Sequence, residues 1–93
     1  MFSLRFPFSR FKISGHSMEP TLVDGQIVWV NYWFRPKAGD VVAATVEEKT
    51  IVKRIKKIEK EKFWLEGDNP EDSYDSRKFG SVTLDKIVGK VII

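Results

Sequence analysis

The sequence predicts an all-β fold, a small barrel or packed antiparallel sheets, and three observations carry that expectation. Short runs of β-branched and aromatic residues recur along the chain, Gly or Pro bounds most of them, and no useful stretch repeats apolar residues every 3.6 positions. Strands spaced in this way bury their apolar faces by packing on one another.

The elements follow in chain order. Residues 1–12 interleave four phenylalanines with Arg5, Arg10 and Lys12 and are interrupted by Pro7. They lack the unbroken apolar centre of a secretory signal, and no run approaches the roughly 20 apolar residues of a membrane-spanning helix. Residues 1–10 therefore read as an aromatic and basic arm, and 11–93 as one core. The arm's aromatics either pack on the domain or rest at a membrane interface. Residues 26–32 (QIVWVNY), 40–46 (DVVAATV), 50–58 (TIVKRIKKI), 62–66 (KFWLE) and 86–92 (KIVGKVI) read as strands. Two connections stand out, the aromatic and basic 31–39 (NYWFRPKAG) and the long polar 67–80 (GDNPEDSYDSRKFG). Long loops in small domains are often where function sits.

Composition narrows the function. With 93 residues there is room for a single core. At 42% hydrophobic and 31% charged, the chain is a folded domain rather than a disordered one. A net charge of +3 favours anionic partners only mildly. The absence of cysteine excludes disulfides and thiolate chemistry, and with one histidine it leaves no zinc site. Counted as an EF-hand from Asp68, the polar loop puts Pro70 and Ser73 where a ligand and a glycine belong. No cofactor is expected.

Chemistry is expected at 13–22 (ISGHSMEPTL), where a flexible glycine, a hydroxyl and a proline-fixed turn fall together. A serine needs a base to take its proton. His16 is the immediate neighbour of Ser17, and adjacent side chains of an extended segment leave on opposite faces, which disfavours a Ser-His-Asp triad. A lysine serves if burial keeps it neutral. Alternation in 50–58 places Lys53 on one face between Ile51 and Ile55, with Val52, Arg54 and Lys56 on the other. The competing reading is an exposed edge strand carrying ordinary surface charge. Ser73 from the polar loop can orient a neutral lysine, and acids of that loop can hold Arg54 and Arg77.

Three segments together resemble the type I signal peptidase family of Ser/Lys proteases. Residues 14–22 (SGHSMEPTL) resemble its nucleophile motif, 52–54 (VKR) its base motif and 67–77 (GDNPEDSYDSR) its C-terminal motif, while 36–42 (PKAGDVV) resembles the connecting segment. The resemblance implies Ser17 as nucleophile, Lys53 as neutral base and Ser73 as the hydroxyl that orients it. It implies a supporting scaffold of Arg54, Asp68, Asp75 and Arg77, and a shallow substrate surface of Phe11, Ile13, Met18 and Val52. The implied partner is a preprotein or leader peptide cut after small residues, at a membrane-associated or cytoplasmic location. Peripheral membrane contact would fall to Phe2, Phe6 and Phe8 of the arm and to Trp33 and Phe34, near Arg5, Arg35 and Lys37.

The departures are specific. Gly15 stands where some members place a serine that helps bind the oxyanion, so the donors here are expected from backbone, at Ser17 N–H and around Gly15. The spanning segment of larger members is missing, as is most of what they carry between the lysine strand and the GDN loop. Short relatives include maturation proteases for nickel-type superoxide dismutase and inner-membrane proteases of mitochondria, so a single-substrate processing role is an alternative. A LexA-like domain that cuts its own chain shares the dyad, but it normally carries a DNA-binding domain, and no helix-turn-helix is present. An OB-like module binding nucleic acid through Lys53, Arg54, Lys56 and Lys57, with Trp29, Trp33 or Trp64 stacking bases, leaves the GDN loop without a purpose. No nucleic-acid partner is expected.

Overall fold

A computed structural model of the chain describes residues 7–93, so Phe2, Arg5 and Phe6 lie outside the described residues. Seven strands form one antiparallel sheet: β1 (Phe8–Lys12), β2 (Ile27–Asn31), β3 (Val41–Val46), β4 (Lys49–Glu59), β5 (Lys62–Glu66), β6 (Val82–Thr83) and β7 (Ile87–Ile92). Their order across the sheet is β1-β2-β7-β3-β4-β5-β6. The expected all-β class is what the chain adopts. Each of the five expected strands is present with its bounds within one residue. β1 and β6 were not expected. β1 pairs with β2 from Phe8 onward, so the last residues of the arm belong to the sheet.

The core lies on both faces of β3, which a continuous VVAATV run favours over strict alternation. Val41 and Ala43 join Ile13, Met18, Leu22, Val28, Val30, Val52 and Val91 in one cluster. Val42 and Ala44 join Ile55, Phe63 and Leu65 in a second, with Phe34, Ile51 and Ile87 packed against it. Phe34 thus packs against the second cluster rather than standing free to insert into lipid.

β4 runs between β3 and β5, with Lys53 opposite Val42 and Arg54 opposite Glu66. An edge strand is therefore not what carries Lys53. Two loops frame this strand. Residues 13–26 leave β1 and return to β2 through a neck closed by Ile13 N–H to the Gln26 carbonyl at 2.8 Å and Gly25 N–H to the Ile13 carbonyl at 2.7 Å. Met18 and Leu22, both buried, anchor that loop into the first cluster. The second loop, 67–80, contains a 3₁₀ turn (Pro70–Asp72) and the short helix α1 (Ser76–Phe79). Asp75 caps α1 at its start and Gly80, at φ 87°, ends it.

Candidate active site

The GDN loop comes down on the serine turn. Asn69 N–H donates to the Ser17 carbonyl at 2.8 Å, and the Asn69 side-chain amide donates to the His16 carbonyl at 3.0 Å. This closeness depends on Gly67. A Cβ there would sit 2.6 Å from the Ser17 carbonyl oxygen and collide with the Ser73 hydroxyl. On its other side the turn is held at Gly15, whose N–H donates to Asp24 at 2.7 Å and whose φ of 90° suits glycine. Gly15 N–H is thereby occupied and is not a free oxyanion donor, which corrects the expectation drawn from the sequence. Neither Asn69 nor Asp24 was singled out, although Asp24 stands in a D-G turn dipeptide and Asn69 in the GDN segment.

Lys53 is 5% exposed, and its Nζ donates to Ser73 Oγ at 3.1 Å. The Ser73 hydroxyl proton goes to Asp75 Oδ2 at 2.5 Å, so Ser73 receives from Lys53 and leaves the lone pair of a neutral amine unused. Burial pushes the Lys53 pKa down and the charge of Arg77 adds to this, while Asp75 and Asp72 oppose it. The amine is thus bonded to Ser73 rather than to Ser17. Ser17 and Lys53 line two depressions in common.

Asp75 organises the loop. Its carboxylate is fully buried and accepts from Ser73, from Gly67 N–H at 2.8 Å, from Arg77 N–H at 3.1 Å and from Arg77 Nε at 2.9 Å. Burial alone would raise its pKa. The hydrogen bonds from Arg77, Ser73 and the Gly67 amide outweigh burial and hold the carboxyl well below the usual range. Ser76, next in sequence, accepts from Leu65 N–H at 2.8 Å and ties α1 to β5.

A second carboxylate joins three segments. Asp68 receives Arg54 of β4 through Nε at 2.9 Å and Nη2 at 2.8 Å, and the Thr21 hydroxyl of the serine loop at 2.6 Å. Arg54 also donates to the Gly39 carbonyl at 2.7 Å. The Arg54 fork holds the Asp68 carboxyl below its ordinary value. His16 is exposed and its Nδ1 meets Glu19 at 2.6 Å, which raises its pKa. It makes no hydrogen bond to the Ser17 hydroxyl.

The first depression, about 200 Å³, is lined by Phe11, Ile13, Met18, Val52 and Ile51 together with Ser17 and Lys53. The four residues expected to form a substrate surface are thus together beside Ser17. The second, about 350 Å³, has Gly15, His16, Lys49, Asp72 and Tyr74 around the same two residues.

Known proteins share this chain's pattern. Residues 9–92 match the Peptidase S24-like family model. Signal peptidase IB of Staphylococcus aureus, in strains Mu50 and N315, is 41% identical over 66 residues, which cover 68% of this chain and 35% of that protein. Mitochondrial inner membrane protease subunit 1 of Mus musculus is 30% identical over 105 residues, covering 84% of this chain and 63% of that protein. The chain spans about a third of the length of the bacterial relatives. The family match runs from β1 to the end of β7 and takes in both loops of the site, so the chain belongs to the Peptidase S24-like family, alongside the signal peptidases.

Proposed function

We propose that the protein is a serine endopeptidase that removes a leader or signal peptide from a preprotein after a small residue, with Ser17 as nucleophile and Lys53 as base. The observation that carries this reading is a buried lysine, oriented by Ser73, sharing a cavity with Ser17. In the substrate complex the Ser17 hydroxyl turns toward the Lys53 amine, whose lone pair takes the proton as Oγ attacks the scissile carbonyl. The oxyanion forms against Ser17 N–H. The Lys53 ammonium then protonates the leaving amine, and the neutral lysine activates the water that releases the acyl group from Ser17. Small side chains before the scissile bond suit a depression of about 200 Å³ lined in part by Met18 and Val52.

Two further observations bear on the partner. Lys53 is buried and Arg54 is bound by Asp68, so neither is free to track phosphates, and Lys57 lies over the Trp64 ring at 4.7 Å. A protease fits these contacts better than a nucleic-acid binder. We also propose peripheral contact with anionic lipid through exposed aromatics, among them Trp33, which is 71% exposed. Among the described residues, no helix is long and apolar enough to cross a membrane.

The test is cleavage of candidate preproteins, with product N-termini read by mass spectrometry. Wild type should cut after a small residue, Ser17→Ala should be inactive with an unchanged fold, and His16→Ala should retain activity. Cleavage by a clean Ser17→Ala preparation overturns the nucleophile. A loss in His16→Ala equal to that in Ser17→Ala restores histidine as the base.

A further inference from the structure

We infer that Asn69 is a positioning residue for the oxyanion donor, acting by fixing the peptide plane that joins His16 to Ser17. The inference rests on the proposed role of Ser17. In a trans peptide the carbonyl oxygen of one residue and the N–H of the next point in opposite directions from one rigid plane. The His16–Ser17 bond is trans, since among the described residues the cis bond is Glu19–Pro20. Holding the His16 carbonyl therefore aims the Ser17 N–H, as one end of a lever sets the other.

Two donors hold that carbonyl. Glu19 N–H reaches it at 3.2 Å from within the turn, and the Asn69 amide reaches it at 3.0 Å from the GDN loop. The second bond ties the plane to the loop that also carries Ser73 and Asp75, and so to the segment that orients Lys53. Base and oxyanion donor are thus referred to one rigid piece. The role falls to Asn69 because Gly15 N–H is taken by Asp24 and Gly15 has no side chain, which leaves Ser17 N–H to meet the developing charge. A lone donor must be well aimed, because its hydrogen bond weakens steeply as the angle closes.

The bonding pattern separates this role from a merely structural one. Asn69 reaches the Ser17 carbonyl through its backbone N–H and the His16 carbonyl through its side chain. A side-chain substitution leaves the first bond and removes the second. In Asn69→Asp a carboxylate oxygen replaces the donor and faces the His16 carbonyl oxygen, so the plane is pushed away from its setting. Asn69→Ser, too short to reach, removes the bond without the repulsion.

The test uses the whole chain, with circular dichroism and thermal unfolding to check the fold. Removing an oxyanion donor costs roughly 10²–10³-fold in kcat, so misaiming one should cost about 10-fold or more in Asn69→Asp and less in Asn69→Ser. KM and the alkaline shape of the pH profile should stay unchanged, because neither substrate pocket nor Lys53 is altered. Affinity for a peptide aldehyde, whose adduct carries the same oxyanion, should fall by the factor seen in kcat. In the free protein the Ser17 amide resonance should shift in Asn69→Asp, while the backbone amide of residue 69, still bonded to the Ser17 carbonyl, should exchange as it does in wild type. An unshifted Ser17 amide, or a kcat within twofold of wild type beside an inactive Ser17→Ala, overturns the inference alone. A loss confined to KM does the same. Turnover by Ser17→Ala overturns the nucleophile and this inference together.

Discussion

Lys53 is held at a cost to stability, and the sign of that cost makes it measurable. Its pKa is lowered in the folded protein, mainly by burial, so between that value and the ordinary lysine range the unfolded chain binds more protons than the folded one. Stability then rises with pH through this window, and the ammonium form is the one that strains the fold. Lys53→Met should abolish cleavage yet melt at or above the wild-type temperature at neutral pH, with the gap narrowing at alkaline pH. A Lys53→Met protein clearly less stable than wild type at neutral pH counts against a strained lysine. Wild-type activity should rise with pH as the amine becomes neutral, and a rate that falls above neutrality contradicts a lysine base. Asp75 runs the other way. Its depressed pKa adds stability above the unfolded carboxyl value, and that stability is lost as pH falls through the folded one. Asp75→Ala leaves Gly67 N–H and the Ser73 hydroxyl without their acceptor, at about 1–3 kcal/mol for each buried group. Calorimetry should show a large drop in Tm, and a drop of a degree or less would mean that the loop is held by something other than Asp75.

What positions these residues is a pair of loops against one strand, and the strand was the legible part. Alternation in β4 places Lys53 between Ile51 and Ile55, and the structure has both isoleucines facing the second cluster. Pattern alone left open whether β4 was an edge, because covering a strand depends on β3 and β5, whose order is a property of the whole sheet. β1 was hidden for a related reason. Phe8, Arg10 and Lys12 form its exposed face, so aromatic and basic residues read as a loose arm although Ser9 and Phe11 turn inward. Residue types marked Ser17, Lys53 and Ser73, but not the contact of Gly67 with the Ser17 carbonyl, which joins positions fifty residues apart in sequence. That contact yields a sharp expectation. Gly67→Ala forces a methyl group to within 2.6 Å of the Ser17 carbonyl oxygen and onto the Ser73 hydroxyl, with backbone on one side that cannot give way. Cleavage should fall at least 10²-fold, in proportion to a scale where about 1.4 kcal/mol is tenfold. The sheet, which does not involve this contact, should persist by circular dichroism. Wild-type turnover in Gly67→Ala would show that the two loops need not touch.

The sheet's unpaired outer face suggests how the molecule meets its substrate. Cross-strand partners project on one face, and the register sets Arg10 beside Trp29 and Trp29 beside Ile92, Lys12 beside Ile27, and Asn31 beside Lys90. Phe8, Ile27, Trp29 and Ile92 are exposed there, ringed by Arg10, Lys12 and Lys90, and Trp33 stands clear at the end of β2. Apolar and cationic groups mixed on one face suit an anionic lipid surface, where each cation contributes about 1 kcal/mol and the aromatics insert shallowly. Lys90 is paired with Asp40 at 3.4 Å, so Arg10 and Lys12 carry the preference for anionic over neutral vesicles, roughly 30-fold, most of it lost when salt shortens the Debye length. β1 runs straight into the 13–26 loop, so a chain resting on lipid through this face keeps Ser17 within one loop of the surface. Co-sedimentation should show wild type on anionic vesicles at low salt and release at high salt. The double variant Trp29→Ser, Trp33→Ser should bind weakly at both salts, and Arg10→Glu, Lys12→Glu should lose the anionic preference while leaving cleavage of a soluble peptide intact. Wild type that stays in solution with anionic vesicles at low salt refutes attachment through this face, and the exposed tryptophans would then have to answer to a protein partner.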